Sequence, residues 1–133
     1  MIPRLFTREE AEALLPEIIP LLRDLQRKWA ELVDATTAEV VLRQRMAGTG
    51  HALLGELEAL MQRVAAARMA AAEVISRVGA FGCELKDPVI GLLDFPAERF
   101  GRVVYLCWQL GEPRIAWWHD IDSGYAGRQP LDP

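Results

Sequence analysis

The 133-residue chain is poor in cysteine and histidine and has no long apolar run, and each shortage removes a class of protein. Its two cysteines, Cys83 and Cys107, have no C-x-x-C spacing. Neither a disulfide framework nor a cysteine-rich zinc site is therefore encoded, and both read as reduced, buried small hydrophobes. No stretch of about 18 apolar residues occurs, so no segment reads as spanning a membrane. The opening Met1-Ile-Pro-Arg-Leu-Phe-Thr-Arg-Glu-Glu10 lacks the uninterrupted apolar region of a secretory signal, and the expected location is cytoplasmic. Basic residues are not in excess: the formal net charge is -4, and acidic residues outnumber basic ones on both sides of residue 80. A general binder of nucleic-acid backbones is thereby disfavoured, although a local arginine cluster can still hold one anion. Gly-rich phosphate loops, nucleophile elbows and helical HExxH are missing too. These gaps argue against the commonest sequence-readable enzyme classes without excluding catalysis, and they leave any cofactor unknown.

What is present is ordinary globular composition, 51% apolar and 26% charged, in a chain the size of one domain. Thr7-Arg-Glu-Glu10 fits a capping box, in which the Thr7 hydroxyl accepts from the Glu10 N–H and the Glu10 carboxylate accepts from the Thr7 N–H. Leu15, Ile18, Ile19, Leu22, Leu25, Trp29, Leu32, Val33 and Val40 then recur at steps of three and four, predicting a helix to about Met46. Pro16 and Pro20 each remove a donor, which predicts a kink or a helix that starts properly only after Pro20. Gly48-Thr-Gly50 breaks the pattern. A second helix, capped by Thr49 or Gly50 and starting at His51, carries Leu53, Leu54, Leu57, Leu60, Met61, Val64, Ala67, Ala71, Ile75 and Val78, with Gly79 and Gly82 as stops. Two long helices with a short link fold back as an antiparallel hairpin over residues 7–80.

From Cys83 the period changes to that of strands. Cys83–Pro88 reads as a short extended piece, and Val89–Phe95 as a strand closed by Pro96. Val103–Gln109 and Arg114–Asp120 read as two stronger strands joined by the turn Leu110-Gly-Glu-Pro113. Residues 121–133 read as an ordered tail. The expected architecture is a single α+β domain: a long antiparallel helical hairpin, then a small antiparallel three-stranded meander over residues 83–120.

Several of these stretches together resemble a known pattern. Glu84-Leu-Lys-Asp87, Gly91-Leu-Leu-Asp-Phe-Pro96, Leu106-Cys-Trp-Gln-Leu-Gly-Glu112, Trp118-His-Asp120 and Gly124-Tyr-Ala-Gly-Arg128 are similar to a small bacterial family known as domain of unknown function number 2203. Arg4-Leu-Phe-Thr-Arg-Glu-Glu-Ala11 and Leu14-Leu-Pro16 fit it as well. The resemblance spans nearly the whole chain. It implies a compact bacterial cytoplasmic protein and brings no activity with it.

Strand alternation sorts the candidate residues. Leu93, Phe95, Leu106 and Trp108 form the more apolar set, expected to lie on the helices. Asp94, Tyr105 and His119 belong to the more polar set, and pairing Asp94 with His119 depends on register. An aspartate beside an imidazole orients it and raises its basicity, as suits a general base or a metal ligand. His119, Asp94 and Glu112 are thus the candidate catalytic group. Alternatively, His119 ends a strand and hydrogen-bonds a backbone carbonyl. Lys86, Trp117, Asp120, Asp122 and Arg128 are the candidate ligand-binding group. Lys86 and Arg128 suit an anion, but Arg128 equally suits a bidentate bridge to Asp87 or Asp120, and Glu112 an ion pair with Arg114 or a turn cap. One of Trp117 and Trp118 must be core and the other covers an apolar patch, a ligand or a partner. Two readings lead, and a third, local single-stranded nucleic-acid binding by the tryptophan face, is disfavoured by the acidic charge. One is a binding or assembly module that self-associates through its helices and presents a Trp-bearing sheet to a small molecule or protein; the other is a small enzyme or metal protein built on His119.

Overall fold

The computed structural model describes residues 4–48 and 50–131. Helix α1 (Arg8–Met46) is followed by a 3-10 turn (Gly50–Leu53) and helix α2 (Leu54–Gly79). A five-stranded sheet completes the fold: β1 (Glu84–Asp87), β2 (Leu92–Arg99), β3 (Arg102–Gln109), β4 (Trp117–Asp120) and β5 (Gln129–Pro130). The strands lie in chain order and every neighbouring pair is antiparallel. The class is α+β as expected, but the meander has five strands rather than three. No helix among the described residues is long and apolar enough to cross a membrane.

The capping box at Thr7 is formed in both directions, at 3.1 Å from the Glu10 N–H to the hydroxyl and 2.9 Å from the Thr7 N–H to the carboxylate. Helix α1 then runs 39 residues through both prolines, which corrects the expected late start at Pro20. Pro16 and Pro20 are exposed and lie one turn apart, so the carbonyls they leave without a helical partner sit toward water. The opposite side of the helix keeps its burial through Leu15, Ile18, Leu22 and Leu25. On α2, Leu57, Leu60, Val64, Ala67, Ala71, Val74 and Val78 alternate steps of three and four, the spacing of a coiled-coil seam. The cap assigned to Thr49 lies outside the described residues. Helix α2 itself begins at Leu54, three residues later than expected, with no side-chain cap hydrogen bond at Leu53.

The sheet lies on the N-terminal half of α1 and the C-terminal half of α2. Leu93, Phe95, Ala97, Val104, Leu106, Trp108 and Trp118 join Ile18, Leu22, Leu25, Val74 and Val78 in one core. Phe6 packs edge-on against Phe95 with ring centroids 5.2 Å apart. The strand expected to close at Pro96 continues to Arg99, and its start shifts from Val89 to Leu92. Pro96 is tolerated because its backbone faces away from β3. Its carbonyl accepts from the Phe6 N–H at 2.7 Å, so the missing N–H falls on the edge that β1 has already left. A two-residue turn, Phe100-Gly101, joins β2 to β3 with both residues left-handed (φ 57 and 74), as tight hairpins require. Phe100 is an unusual residue there; the Arg99 and Arg102 guanidinium groups flank its ring at 4.9 and 5.5 Å. Strand β4 is shorter than expected, since Arg114–Ala116 is not paired, and the tail adds a 3-10 turn (Tyr125–Gly127) and β5.

Candidate functional site

Register decides which polar residues meet. Asp94 pairs with Cys107, and Tyr105 pairs with His119, so all four project from the sheet face opposite the helices. Asp94 on β2 and His119 on β4 reach toward each other over β3, between Tyr105 and Cys107. His119 Nε2 lies 2.9 Å from Asp94 Oδ1, with both residues 2% exposed. His119 Nδ1 lies 2.7 Å from the backbone oxygen of Asp120. Cys107 is fully buried, and its Sγ, an Asp94 oxygen and a His119 nitrogen all lie within 4.8 Å of one another.

Proton positions follow from donors and acceptors. The Asp120 carbonyl can only accept, so Nδ1 carries a hydrogen. Nε2 then faces a carboxylate, and a proton or a cation must hold the two together. Burial, followed by the Asp94 carboxylate, pushes the Cys107 thiol up to about 11 against the opposing effect of Arg128. Cys107 is therefore a neutral thiol at pH 7. With both imidazole nitrogens already engaged, His119 does not serve it as a base, and a Cys–His nucleophile is not what this geometry provides.

The cluster is roofed. The Tyr105 ring sits 5.5 Å from that of His119, and Lys86 Nζ lies 5.2 Å from the Tyr105 ring centre. The Glu84 carboxylate, followed by burial, pushes the Tyr105 phenol up to about 12. Burial acts to raise the Glu84 carboxyl, but the influence of Tyr105 and the hydrogen bond from Lys86 outweigh it and hold the group below its usual range.

The remaining candidates separate from this pair. Glu112 does not join Asp94 and His119; it sits in the β3–β4 connection and bonds Arg128 bidentately, at 2.7 and 3.1 Å. Glu112 also caps the turn by accepting from the Gln109 N–H at 2.7 Å, and neither Arg114 nor Asp87 nor Asp120 takes the ion-pairing roles expected of them with Glu112 and Arg128. Arg128 Nη2 donates as well to the Cys107 carbonyl at 3.3 Å, and the guanidinium lies over the rings of Trp117 and Tyr125. Lys86 pairs with Glu84 at 3.1 Å and Asp120 with Arg102 at 2.9 Å, while Asp122 is exposed. Lys86 and Arg128 therefore each face a carboxylate rather than a shared anion site. Trp108 and Trp118 are core, and Trp117 is half-buried under Arg128, so the sheet presents no open tryptophan platform.

Cys107 is the residue that sequence reasoning passed over as a plain hydrophobe. Alternation had already placed it on the face of Tyr105, and that was the available signal. A separate cleft of about 570 Å³, at the start of α1, is lined by Thr7, Arg8, Glu9, Glu98, Arg99 and Leu131 among others. It lies apart from the Asp94–His119–Cys107 cluster, and its two arginines are balanced by two glutamates.

A family model described as an uncharacterized conserved protein (DUF2203) matches residues 4–131. No curated protein and no solved structure matches the chain.

Proposed function

The chain belongs to this family of uncharacterised proteins, and from that premise we propose an assembly module that pairs with a second copy of itself through the distal half of its helical hairpin. Residues seven apart hold one face of a coiled-coil helix. On α1 that series is Glu12, Ile19, Gln26, Val33 and Val40; on α2 it is Leu54, Met61, Arg68 and Ile75. The proximal members meet the sheet. A Glu12 carboxylate oxygen accepts from the Ile115 N–H at 3.0 Å, Gln26 donates to the Val89 carbonyl at 2.8 Å, and Ile19 and Ile75 pack on the core.

Past the sheet's edge the same stripe continues without cover. Val33, Val40, Leu54 and Met61 are 53%, 50%, 43% and 47% exposed, and Val89 and Ile90 stand exposed at the sheet's rim. Arg43 on α1 reaches the Met61 sulfur at 3.7 Å, which puts the two stripes on one side of the hairpin. A different pattern joins the helices around Arg63, which bonds Glu31 at 2.6 Å and lies 3.9 Å from Asp34. Glu31, Asp34 and Arg63 immediately precede the buried or half-buried Leu32, Ala35 and Val64, whereas Val33, Val40, Leu54 and Met61 immediately follow the half-buried Leu32, Glu39, Leu53 and Leu60; Val41 and Met69 are exposed apart from this stripe. In an antiparallel pair these are opposite faces, one ion-paired and suited to water, the other apolar.

The uncovered apolar continuation of the sheet-binding stripe carries this reading. A second hairpin with the same heptad spacing is a complementary occupant, and a two-fold axis would cover both stripes at once. Sedimentation velocity of the full chain at micromolar concentration is expected to give a dimer that Val33→Glu with Met61→Glu converts to a folded monomer. A monomeric native chain, or a dimer untouched by the two substitutions, would overturn the proposal.

A further inference from the structure

The geometry points to a metal site: we propose that Asp94, Cys107 and His119 together bind one divalent transition-metal ion of the zinc, cobalt(II) or iron(II) class. This rests on different residues from the assembly reading and stands independently of it.

Three adjacent strands contribute one donor each, a carboxylate oxygen, a thiol sulfur and an imidazole nitrogen, all within 4.8 Å of one another. A hydrogen-bonded Asp94–His119 pair alone would not need the third. The Nδ1 contact to the Asp120 carbonyl, at 2.7 Å, fixes the imidazole so that the Nε2 lone pair faces the other two donors. That is the outer-shell arrangement of metal-ligating histidines, in which a backbone carbonyl or carboxylate holds the distal N–H. Mixed N, O and S donors favour borderline transition metals over magnesium and calcium, which take oxygen ligands.

Size and charge agree with that class. Zinc bonds of about 2.0–2.2 Å to N and O and about 2.3 Å to S put tetrahedral donors roughly 3.3–3.6 Å apart. The 2.9 Å Nε2–Oδ1 contact thus has to open by well under 1 Å for an ion to enter. The ion displaces the proton shared by Asp94 and His119 and the Cys107 thiol proton, both of which leave to solvent. A carboxylate and a thiolate then balance the dication, so the filled cluster is formally neutral, as burial favours. Arg128 stands beside Cys107 and lowers the cost of its thiolate. Three protein donors leave one coordination position open for water or another small ligand, which is the pattern of reactive rather than purely structural zinc sites.

The test is cobalt(II) titration of the full chain after chelator treatment. One ion per chain is expected, with an intense near-ultraviolet sulfur-to-cobalt charge-transfer band and visible d–d bands of a low-coordinate site. Cys107→Ser should abolish the charge-transfer band, Cys83→Ser should leave it intact, and His119→Gln should weaken uptake by about a hundredfold or more. A folded native chain that takes up no stoichiometric ion at tens of micromolar would overturn the site, as would uptake undiminished in Cys107→Ser and His119→Gln. Should those variants fail to fold, X-ray absorption of the zinc-loaded native chain decides. One sulfur at about 2.3 Å supports the site, and a shell of nitrogen and oxygen alone removes it.

Discussion

Asp94 and His119 stand on strands that are not neighbours, yet their side chains meet 2.9 Å apart across β3. Each is a polar side chain that the fold has taken out of water, and each is the other's side-chain partner there, with His119 held in addition by the Asp120 carbonyl. Removing one therefore leaves the other buried and unsatisfied. Asp94→Ala and His119→Ala, measured by urea unfolding with chelator present, are each expected to cost roughly 2–4 kcal/mol. The double variant should lose clearly less than the sum, because the two substitutions destroy one shared interaction. Additive losses would mean that the pair is not coupled in solution.

The tail depends on one guanidinium. Arg128 bonds Glu112 twice, donates to the Cys107 carbonyl and covers Trp117 and Tyr125. Lysine keeps the charge and loses the fork. Arg128→Lys is expected to lower stability by about 1 kcal/mol and to speed hydrogen exchange in residues 121–131 well before the helices respond. Unchanged exchange in that segment would count against Arg128 as its anchor.

Gly91 has φ 67, and a Cβ there would stand 2.7 Å from the Leu110 Cβ. Its carbonyl also accepts from the Leu110 N–H at 3.0 Å, so the turn cannot move away freely. Gly91→Ala is expected to cost on the order of 2 kcal/mol or more, combining a left-handed backbone with a hard contact. A thermal melt within a degree of the native chain would contradict this.

Both cysteines give a pH signature with a defined sign. Burial pushes the Cys83 and Cys107 thiols from an ordinary 9.0 to about 11. Below pH 9 the folded and unfolded chains both keep the thiol protons, so these groups add no pH dependence. Between about 9 and about 11 the unfolded chain ionises first, and stability falls as pH rises. At pH 10 the loss is roughly 1 kcal/mol per thiol. A thiol reagent at pH 8 should accordingly react slowly with the metal-free folded chain and promptly after denaturation. Fast reaction of the folded chain would refute the burial account.

Much of the fold was legible because local chemistry and global packing agree. Thr7 and Glu10 announce the start of α1, the three-and-four spacing marks the seam, and alternation assigns Trp108 and Asp94 to opposite sheet faces. The errors arose where distant partners decide. Pro96 reads as a strand stop until Phe6 is seen to occupy the edge its nitrogen faces. The two-residue β5 has no periodicity of its own and exists by pairing with Trp117 and Trp118. At the site, Asp94 and His119 were found together because the register happens to align their faces. Glu112 was misplaced because an ion pair with a residue 16 positions later leaves no trace in spacing. Cys107 was missed because its residue type is as much at home in an ordinary core.

A sheet whose spatial order equals its chain order also has a consequence for how the protein reaches this state. No strand must insert between two that are already paired, so the meander can zip outward from the tight turn at Phe100-Gly101, one short loop at a time. The hairpin of α1 and α2 closes just as locally. The joining of the two halves differs: the Glu12–Ile115 bond closes a span of 103 residues, with an entropy cost of about 4 kcal/mol from the length-dependent part alone. Docking helices onto sheet is thus the slow step expected of this topology, and the contacts of Phe6, Glu12 and Gln26 are the last that folding should secure and the first that unfolding should release.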